Sequence, residues 1–288
     1  MSITRGPGGS TIGGLRPERD NIAAPVLPPR LRWLNAERPP VLAELTAAGP
    51  VLVHFFDFAQ LNSVRALPYA IEWDRRYRDA GLAMLGVHSP RFRFTGEREL
   101  LAPALERLGV AHPVADDSGY ALWHDYGCKG WPSLFLWGQG GALRWFHFGE
   151  GEYEATERAI AAELAELDPG FEAPAPLAPL RAADAAGKDL VAGRSDKRPG
   201  GGVGDPWRPA EGEDPLQLRY AAGGAHASVG GSGELRVALD GGALHAIEVP
   251  APGLYELTEH PRHEPHRLEL SGSPGIELYS VSFSAGLP

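Results

Sequence analysis

The fold of this chain is decided by residues 51–69, which read VLVHFFDFAQLNSVRALPY. The first six, Val51–Phe56, are apolar and rich in β-branched and aromatic residues, a composition typical of a buried strand. From Ser63 to Ala80 the apolar residues recur mostly at helical spacing, with charged residues on the other face. This stretch therefore predicts a buried strand followed by an amphipathic helix.

Strands and helices continue to alternate after this pair. The pattern predicts a strand at Leu82–His88, a helix at Arg98–Leu108, a hairpin of Ser133–Trp137 with Leu143–Phe148, and a helix at Glu154–Leu167. The order strand, helix, strand, helix, hairpin, helix indicates an α/β domain in which helices flank both faces of a mixed sheet.

Composition divides the chain into four parts. Residues 1–30 are rich in Gly, Pro and Arg, which predicts an extended N-terminal arm. Residues 31–168 hold the α/β pattern, and residues 169–206 form a linker rich in Pro, Ala and Gly. In residues 207–288, short runs of largely alternating polarity are separated by turn residues, which predicts a small all-β sandwich of the jelly-roll kind.

One segment of the β-module has a composition suited to metal binding. Glu259–His266 gathers three histidines and two glutamates, residue types that bind zinc or copper. Pro261 and Pro265 mark it as a loop between two strands, and no fixed ligand spacing is present. A solvated polar loop is the favoured interpretation, so we assign no metal site and no cofactor to the chain.

Charge and cysteine content exclude several classes of function. The formal net charge of -10 argues against a nucleic-acid or anionic-membrane partner, because a protein surface that binds either one needs clustered Lys and Arg. The sequence has no apolar run of the signal-peptide kind and none of the roughly 20 residues that span a bilayer, so we expect a cytoplasmic protein. The single cysteine, Cys128, excludes an intramolecular disulfide and any dithiol mechanism carried by one chain. The sequence carries no signal for an oligomeric state.

Four local segments resemble parts of a known family: Arg65–Tyr69, Leu85–Pro90, Trp131-Pro132 and Phe148–Tyr153. They are similar to the first redox helix, the next strand, the cis-proline loop and the start of the last helix of the thioredoxin superfamily, and more narrowly of the thioredoxin part of DipZ/TlpA-type proteins. The resemblance implies a thioredoxin-like fold over residues 41–167. Relatives of this kind often carry a β-rich module after the thioredoxin unit.

The resemblance breaks at the redox motif. In active members a Cys-x-x-Cys motif opens the first helix, whose N-terminus stabilises the attacking thiolate, and the second cysteine resolves the mixed disulfide. The resemblance places these cysteines at Gln60 and Ser63, so the motif here reads Gln60-Leu61-Asn62-Ser63. It places the buried carboxylate of the family at His54. Because an amide is no nucleophile and Ser63 is more simply a helix-capping or surface hydroxyl, we expect a thioredoxin fold without its redox dithiol.

Three functions remain open at this point. The first and favoured one is a non-catalytic binding or scaffold protein that holds a peptide or protein partner in the groove beside the proline loop. The residues of that groove are Phe58, Leu61, Asn62, Trp131 and Pro132. The second is a monothiol thiol–disulfide oxidoreductase or peroxidase with Cys128 as its only nucleophile, although a buried structural cysteine is the simpler interpretation. The third is a carbohydrate-binding protein that acts through aromatic residues of the β-module.

Overall fold

The computed structural model describes residues 22–185, 191, 197–198, 204–210 and 212–288. Most of the predicted N-terminal arm, and much of the second half of the predicted linker, lie outside the described residues. Within the described ranges, no helix has the length and apolar character needed to cross a membrane.

Two sheets organise the chain. The strands of the first are β1 (Arg32–Leu34), β2 (Val51–Phe56), β3 (Ala83–His88), β4 (Val114–Asp116), β5 (Ser133–Trp137) and β6 (Leu143–Phe148). Their order across the sheet is β1-β4-β3-β2-β5-β6. Strands β2, β3 and β4 run parallel, whereas β5, β6 and β1 join antiparallel to their neighbours.

Helices cover both faces of this sheet. They are α1 (Leu42–Ala48), α2 (Leu61–Tyr77), α3 (Arg98–Arg107), α4 (Ala121–Asp125), α5 (Tyr153–Leu167) and α6 (Ala182–Ala185), with a 3-10 helix at Phe94–Gly96. All six side chains of β2 are buried, because Phe55 belongs to the core on one face of the strand and Leu52 to the core on the other. The parallel strands with a hairpin at one side, covered by helices on both faces, confirm the predicted thioredoxin-like fold.

The second sheet is entirely antiparallel. Its strands are β7 (Leu216–Gly231), β8 (Gly233–Leu239), β9 (His245–Val249), β10 (Gly253–Gly272) and β11 (Ile276–Ser284), in the order β11-β7-β10-β8-β9. Residues of both edge strands, such as Val249 and Leu278, belong to one core cluster. The sheet must therefore curl around a single core, which confirms the predicted all-β class of this domain.

The predicted loop at residues 259–266 is wrong, because these residues lie inside β10. The pairing of β10 with β7 shifts in register between Glu259 and Glu264. A strand can hold prolines at such an irregularity, because residues there leave the hydrogen-bonded ladder and need no N–H donor. Pro261 lies within this stretch and Pro265 directly after it.

The two sheets are packed together through β7 and β11. The hydroxyl of Ser228 donates a buried hydrogen bond of 2.8 Å to the carbonyl oxygen of Ala59, just before α2. The ring of Tyr279 lies 4.9 Å from that of Phe94, between centroids. The β-domain is therefore seated on the N-terminal end of α2 and on the loop that follows β3.

The first part of the predicted linker lies along α2. Phe171 and Leu177 pack against the apolar core between α2 and α5. The Tyr69 hydroxyl accepts the N–H of Leu180 at 2.8 Å and donates to Asp184 at 3.0 Å. These contacts bind residues 171–184 to the α/β domain, although the predicted domain boundaries themselves stay predictions.

Candidate functional site

The two positions that the resemblance assigned to redox cysteines fasten the start of α2. Gln60 is the N-cap residue, and its side-chain oxygen accepts the N–H of Ser63 at 2.8 Å. The hydroxyl oxygen of Ser63 accepts the N–H of Asp57 at 3.1 Å, and the Ser63 side chain is fully buried. Both side chains thus satisfy backbone donors that would otherwise lack partners at a helix start.

Asp57 ties the same helix start to the loop after β3. Its carboxylate is fully buried and accepts three hydrogen bonds, from the N–H of Ala59 at 2.7 Å, the N–H of Arg91 at 2.7 Å and the hydroxyl of Thr95 at 2.6 Å. Sequence reasoning did not assign this role. The available signal was an Asp directly after a buried strand, where its side chain bonds the backbone two residues on.

Two buried histidines lie behind α2, but neither is equipped as a base. His54 is fully buried and its ring stacks on Phe56, with 5.4 Å between centroids. Burial, with a contribution from nearby His112, lowers the pKa of His54 to about 3. Burial also lowers the pKa of His88, whose ring stacks on Phe58. Such weak bases are poorly matched to proton abstraction near neutral pH.

Cys128 is held as a structural thiol. Only 7% of the residue is exposed, and it packs in an apolar cluster with Tyr126 and Phe135. Burial, with a smaller contribution from Asp117, raises the pKa of the thiol to about 12. A cysteine in this environment carries almost no thiolate at neutral pH, and the thiolate is the reactive form.

The proline loop presents a fixed aromatic surface. The Trp131-Pro132 peptide bond is cis. The half-buried Trp131 donates its indole N–H to the carbonyl oxygen of Ser89 at 2.8 Å and stacks on Trp123 at 4.2 Å between centroids. The guanidinium of Arg91 lies 5.4 Å from the Trp131 ring, within the range of a cation–π contact. Arg91 also lines a cleft of about 340 Å³ together with Pro90, Phe92, Arg93, Gly96, Tyr120 and Gly204.

The predicted groove is wrong in its apolar half. Phe58 and Leu61 are only 1% and 2% exposed, and Pro132 is buried as well. Phe58 lies in the core cluster that also holds Tyr279 of the β-domain, so this part of the surface is closed by the second domain. Asn62 and Trp131 remain half-exposed. The site that the structure supports is therefore smaller and more polar than the predicted groove.

The side chains of the β-module that raised other hypotheses are occupied by their neighbours. Tyr220 and Tyr279 are buried, while Trp207 and Tyr255 pack against the same domain core, which favours core filling over sugar stacking. The rings of His260 and His266 stack at 4.0 Å, and Tyr220 and Asp240 hydrogen-bond to them. Among the described residues, no group of three or more His, Cys, Asp or Glu side chains has a geometry that could hold a metal ion.

One group of known proteins is similar to this chain over both of its domains. No protein-family model matches the chain. Protein DipZ of Mycobacterium tuberculosis is 28% identical over 287 residues, which cover 87% of this chain and 41% of DipZ. Because neither domain alone makes up 87% of the chain, this match extends over both. The chain nevertheless spans less than half the length of DipZ.

Other similar proteins match about half of this chain. NHL repeat-containing protein 2 of Gallus gallus is 33% identical over 138 residues, which cover 48% of this chain and 19% of that protein. The solved thioredoxin-like superfamily protein SPOA0173 is 24% identical, covers 53% of this chain and gives a TM-score of 0.45. A likeness at that score carries no weight in the fold assignment, which rests on the strand order and connections.

Proposed function

We propose that this thioredoxin-like protein is a non-catalytic binding protein whose partner is a peptide or protein segment lying across Trp131 and Asn62. The observation that carries the proposal is the closed hydrogen-bond arrangement of Gln60, Ser63 and Asp57. These side chains hold the helix start that a redox thioredoxin uses for chemistry, and the one thiol of the chain is buried elsewhere.

The surface around Trp131 is suited to binding for an energetic reason. Trp131 is held by Trp123, Arg91 and the Ser89 carbonyl, so little conformational entropy is lost when a partner packs on it. Half-exposed aromatic side chains with a polar edge contribute large contact areas at interfaces. The half-exposed Asn62, in the first turn of α2, supplies further hydrogen-bonding groups.

The absence of thiol chemistry is tested by alkylating Cys128 beside an insulin-reduction assay. With a thiol pKa of about 12 in place of the ordinary 9.0, the native protein should react roughly a thousandfold more slowly than an exposed cysteine. Unfolding should restore the ordinary rate. Rapid labelling of the native protein together with insulin reduction would favour the monothiol alternative instead.

Partner binding is tested with a phage-displayed library of random 12-residue peptides. Peptides selected on the wild-type protein should lose at least tenfold in affinity for Trp131→Ala. The matched control is Trp33→Ala, since Trp33 is also half-buried but lies on edge strand β1. Selected peptides that bind Trp131→Ala as tightly as wild type would exclude this surface as the binding site.

A further inference from the structure

Strand β7 lies between two packed regions, and its alternate residues face different domains. Ala225, Ala227 and Val229 belong to the core of the β-domain. Ser228 faces the α/β domain, because its hydroxyl bonds the Ala59 carbonyl. By the two-residue period of a strand, His226 lies on the face of Ser228.

His226 is therefore a titratable group inside the contact between the domains. Its exposed fraction is 9%, and its ring Nδ1 has no hydrogen-bond partner among the described residues. Transfer of a charged imidazolium into such a position is costly unless a counter-charge receives it.

On the α/β side of the contact, the charged groups around His226 do not provide an unengaged counter-charge. Arg65 of α2 and Arg181, just before α6, act on His226 across the interface. The carboxylates on that side already serve these arginines: Glu150 lies 2.6 Å from Arg65, and Asp184 lies 3.1 Å from Arg181 and 3.6 Å from Arg65. Within its own sheet, His226 is paired with Glu256 of β10, which is exposed, and with Ser282 of β11. Protonation of His226 would thus add a third positive charge beside Arg65 and Arg181, whose charges Glu150 and Asp184 already compensate.

We propose that His226 is an acid-sensitive latch, which keeps the β-domain seated over the start of α2 while it is neutral and releases that contact when it is protonated. Burial, together with the positive charges of Arg65 and Arg181, lowers the pKa of His226 to about 4. Release would expose the buried face around Phe58, Ala59 and Phe94. The latch requires no partner, and only its effect on binding rests on the proposed function.

The size of the effect follows from the two protonation states. If the pKa rises from about 4 in the seated state to the ordinary 6.5 after release, acidification from pH 7 to pH 5 increases the opening equilibrium constant roughly twentyfold. Acid sensitivity of this kind disappears when the imidazole is replaced by a neutral amide.

The experiment measures opening by labelling a thiol placed in the contact. Ser228→Cys in a Cys128→Ala background puts a single, nearly isosteric thiol at a fully buried interface position. This thiol is labelled with 4,4′-dithiodipyridine at pH 7 and pH 5, and each labelling rate is divided by that of the unfolded chain at the same pH. In the same background, His226→Gln is the test variant, and His245→Gln, at an exposed position of β9, is its matched control.

We expect a roughly twentyfold rise in normalised labelling between pH 7 and pH 5 in the protein that keeps His226 and in His245→Gln, and less than a threefold change in His226→Gln. An equal rise in His226→Gln, or no rise in the protein that keeps His226, would overturn the latch. If the introduced thiol disturbs the contact between the domains, an NMR titration of the wild-type protein measures the pKa of His226 directly instead. An ordinary pKa near 6.5 for His226 in the folded protein would reject the proposal.

Discussion

The start of α2 and the middle of β7 lie on opposite sides of one contact, yet they are stabilised in different ways. The start of α2 is held by side-chain acceptors, namely those of Asp57, Gln60 and Ser63, which satisfy backbone donors. The middle of β7 depends on the absence of side-chain volume. A Cβ added at Gly223 would lie 2.3 Å from the carbonyl oxygen of Ala285, and one at Gly224 would lie 2.7 Å from that of Thr258.

The two regions therefore accept different substitutions. A capping position tolerates changes of size if an acceptor remains, since the missing element is a hydrogen bond. A strand packed on both faces tolerates neither bulk nor an unpaired charge, because no solvent is available to either face. Three substitutions test this contrast, and a fourth, at His54, tests a buried titratable group; they follow in order of decreasing expected effect.

Asp57→Ala should have the largest effect on stability. It removes the charged acceptor of two backbone N–H groups and the Thr95 hydroxyl, which costs about 4 kcal/mol of unfolding free energy. Urea denaturation at pH 7 measures the loss, with Asp79→Ala, an exposed residue, as control. A loss below about 1 kcal/mol would mean that acceptors are not what holds the start of α2.

Gly223→Ala should follow, with a loss of about 3 kcal/mol, because the added methyl group meets a backbone oxygen that cannot rotate away. Gly119→Ala is the matched control, since nothing lies within 4 Å of its added Cβ. Thermal unfolding of both variants measures the difference. Equal stability of the two would show that β7 can move aside, and the contrast with α2 would fail.

The buried His54 should make the free energy of unfolding of the α/β domain fall at acid pH. Its pKa is about 3 in the folded chain and 6.5 when unfolded, so its contribution is complete above pH 6.5 and declines as the pH falls towards 3. At pH 5 that decline amounts to about 2 kcal/mol. We therefore expect His54→Phe to lose about 2 kcal/mol less than wild type between pH 7 and pH 5.

Urea denaturation at the two pH values checks this expectation, with His124→Phe at an exposed position as control. The same pH response in His54→Phe and wild type would assign the acid sensitivity to other groups. Together with the His226 variants, the measurement separates acid effects in the core from those in the domain contact.

Gln60→Ala should have the smallest effect, a loss of about 1 kcal/mol, because it removes one capping acceptor at a half-exposed position. Gln217→Ala, at an exposed position of β7, provides the control for the change of residue type. Chemical denaturation of the two variants gives the comparison. A loss in Gln60→Ala no greater than that in the control would remove Gln60 from the network at the helix start.

The sequence predicted best those elements whose residues repeat a simple pattern. The apolar run of β2 and the helical spacing of α2 each mark one element by themselves. Two elements carried too little pattern to be recognised: β1 has three residues, and α1 has seven with no side-chain cap. Residues 221–231 of β7 also carry no recognisable strand pattern, because the small residues required by two-sided burial show no alternation of polarity.

The candidate site was predictable where it depends on neighbouring residues and not where it depends on the second domain. The polar replacements at Gln60 and Ser63 were visible in the sequence, and their hydrogen bonds are local to the helix start. The burial of Phe58 and Leu61 was not visible, since the nearby contact of Ser228 with Ala59 joins residues 169 positions apart. No local pattern records such a pairing.

The attachment of residues 171–184 along α2 has a consequence for any molecule that would compete with the β-domain. Only residues 186–190 separate the anchored α6 from Val191, which pairs with Gly286, and Lys197 then pairs with Val281 of β11. A tether of this length keeps a released β-domain at an effective concentration of roughly millimolar near its seat. A partner from solution must bind tightly enough to overcome that local excess, so even a weak contact between the domains can act as a selective barrier.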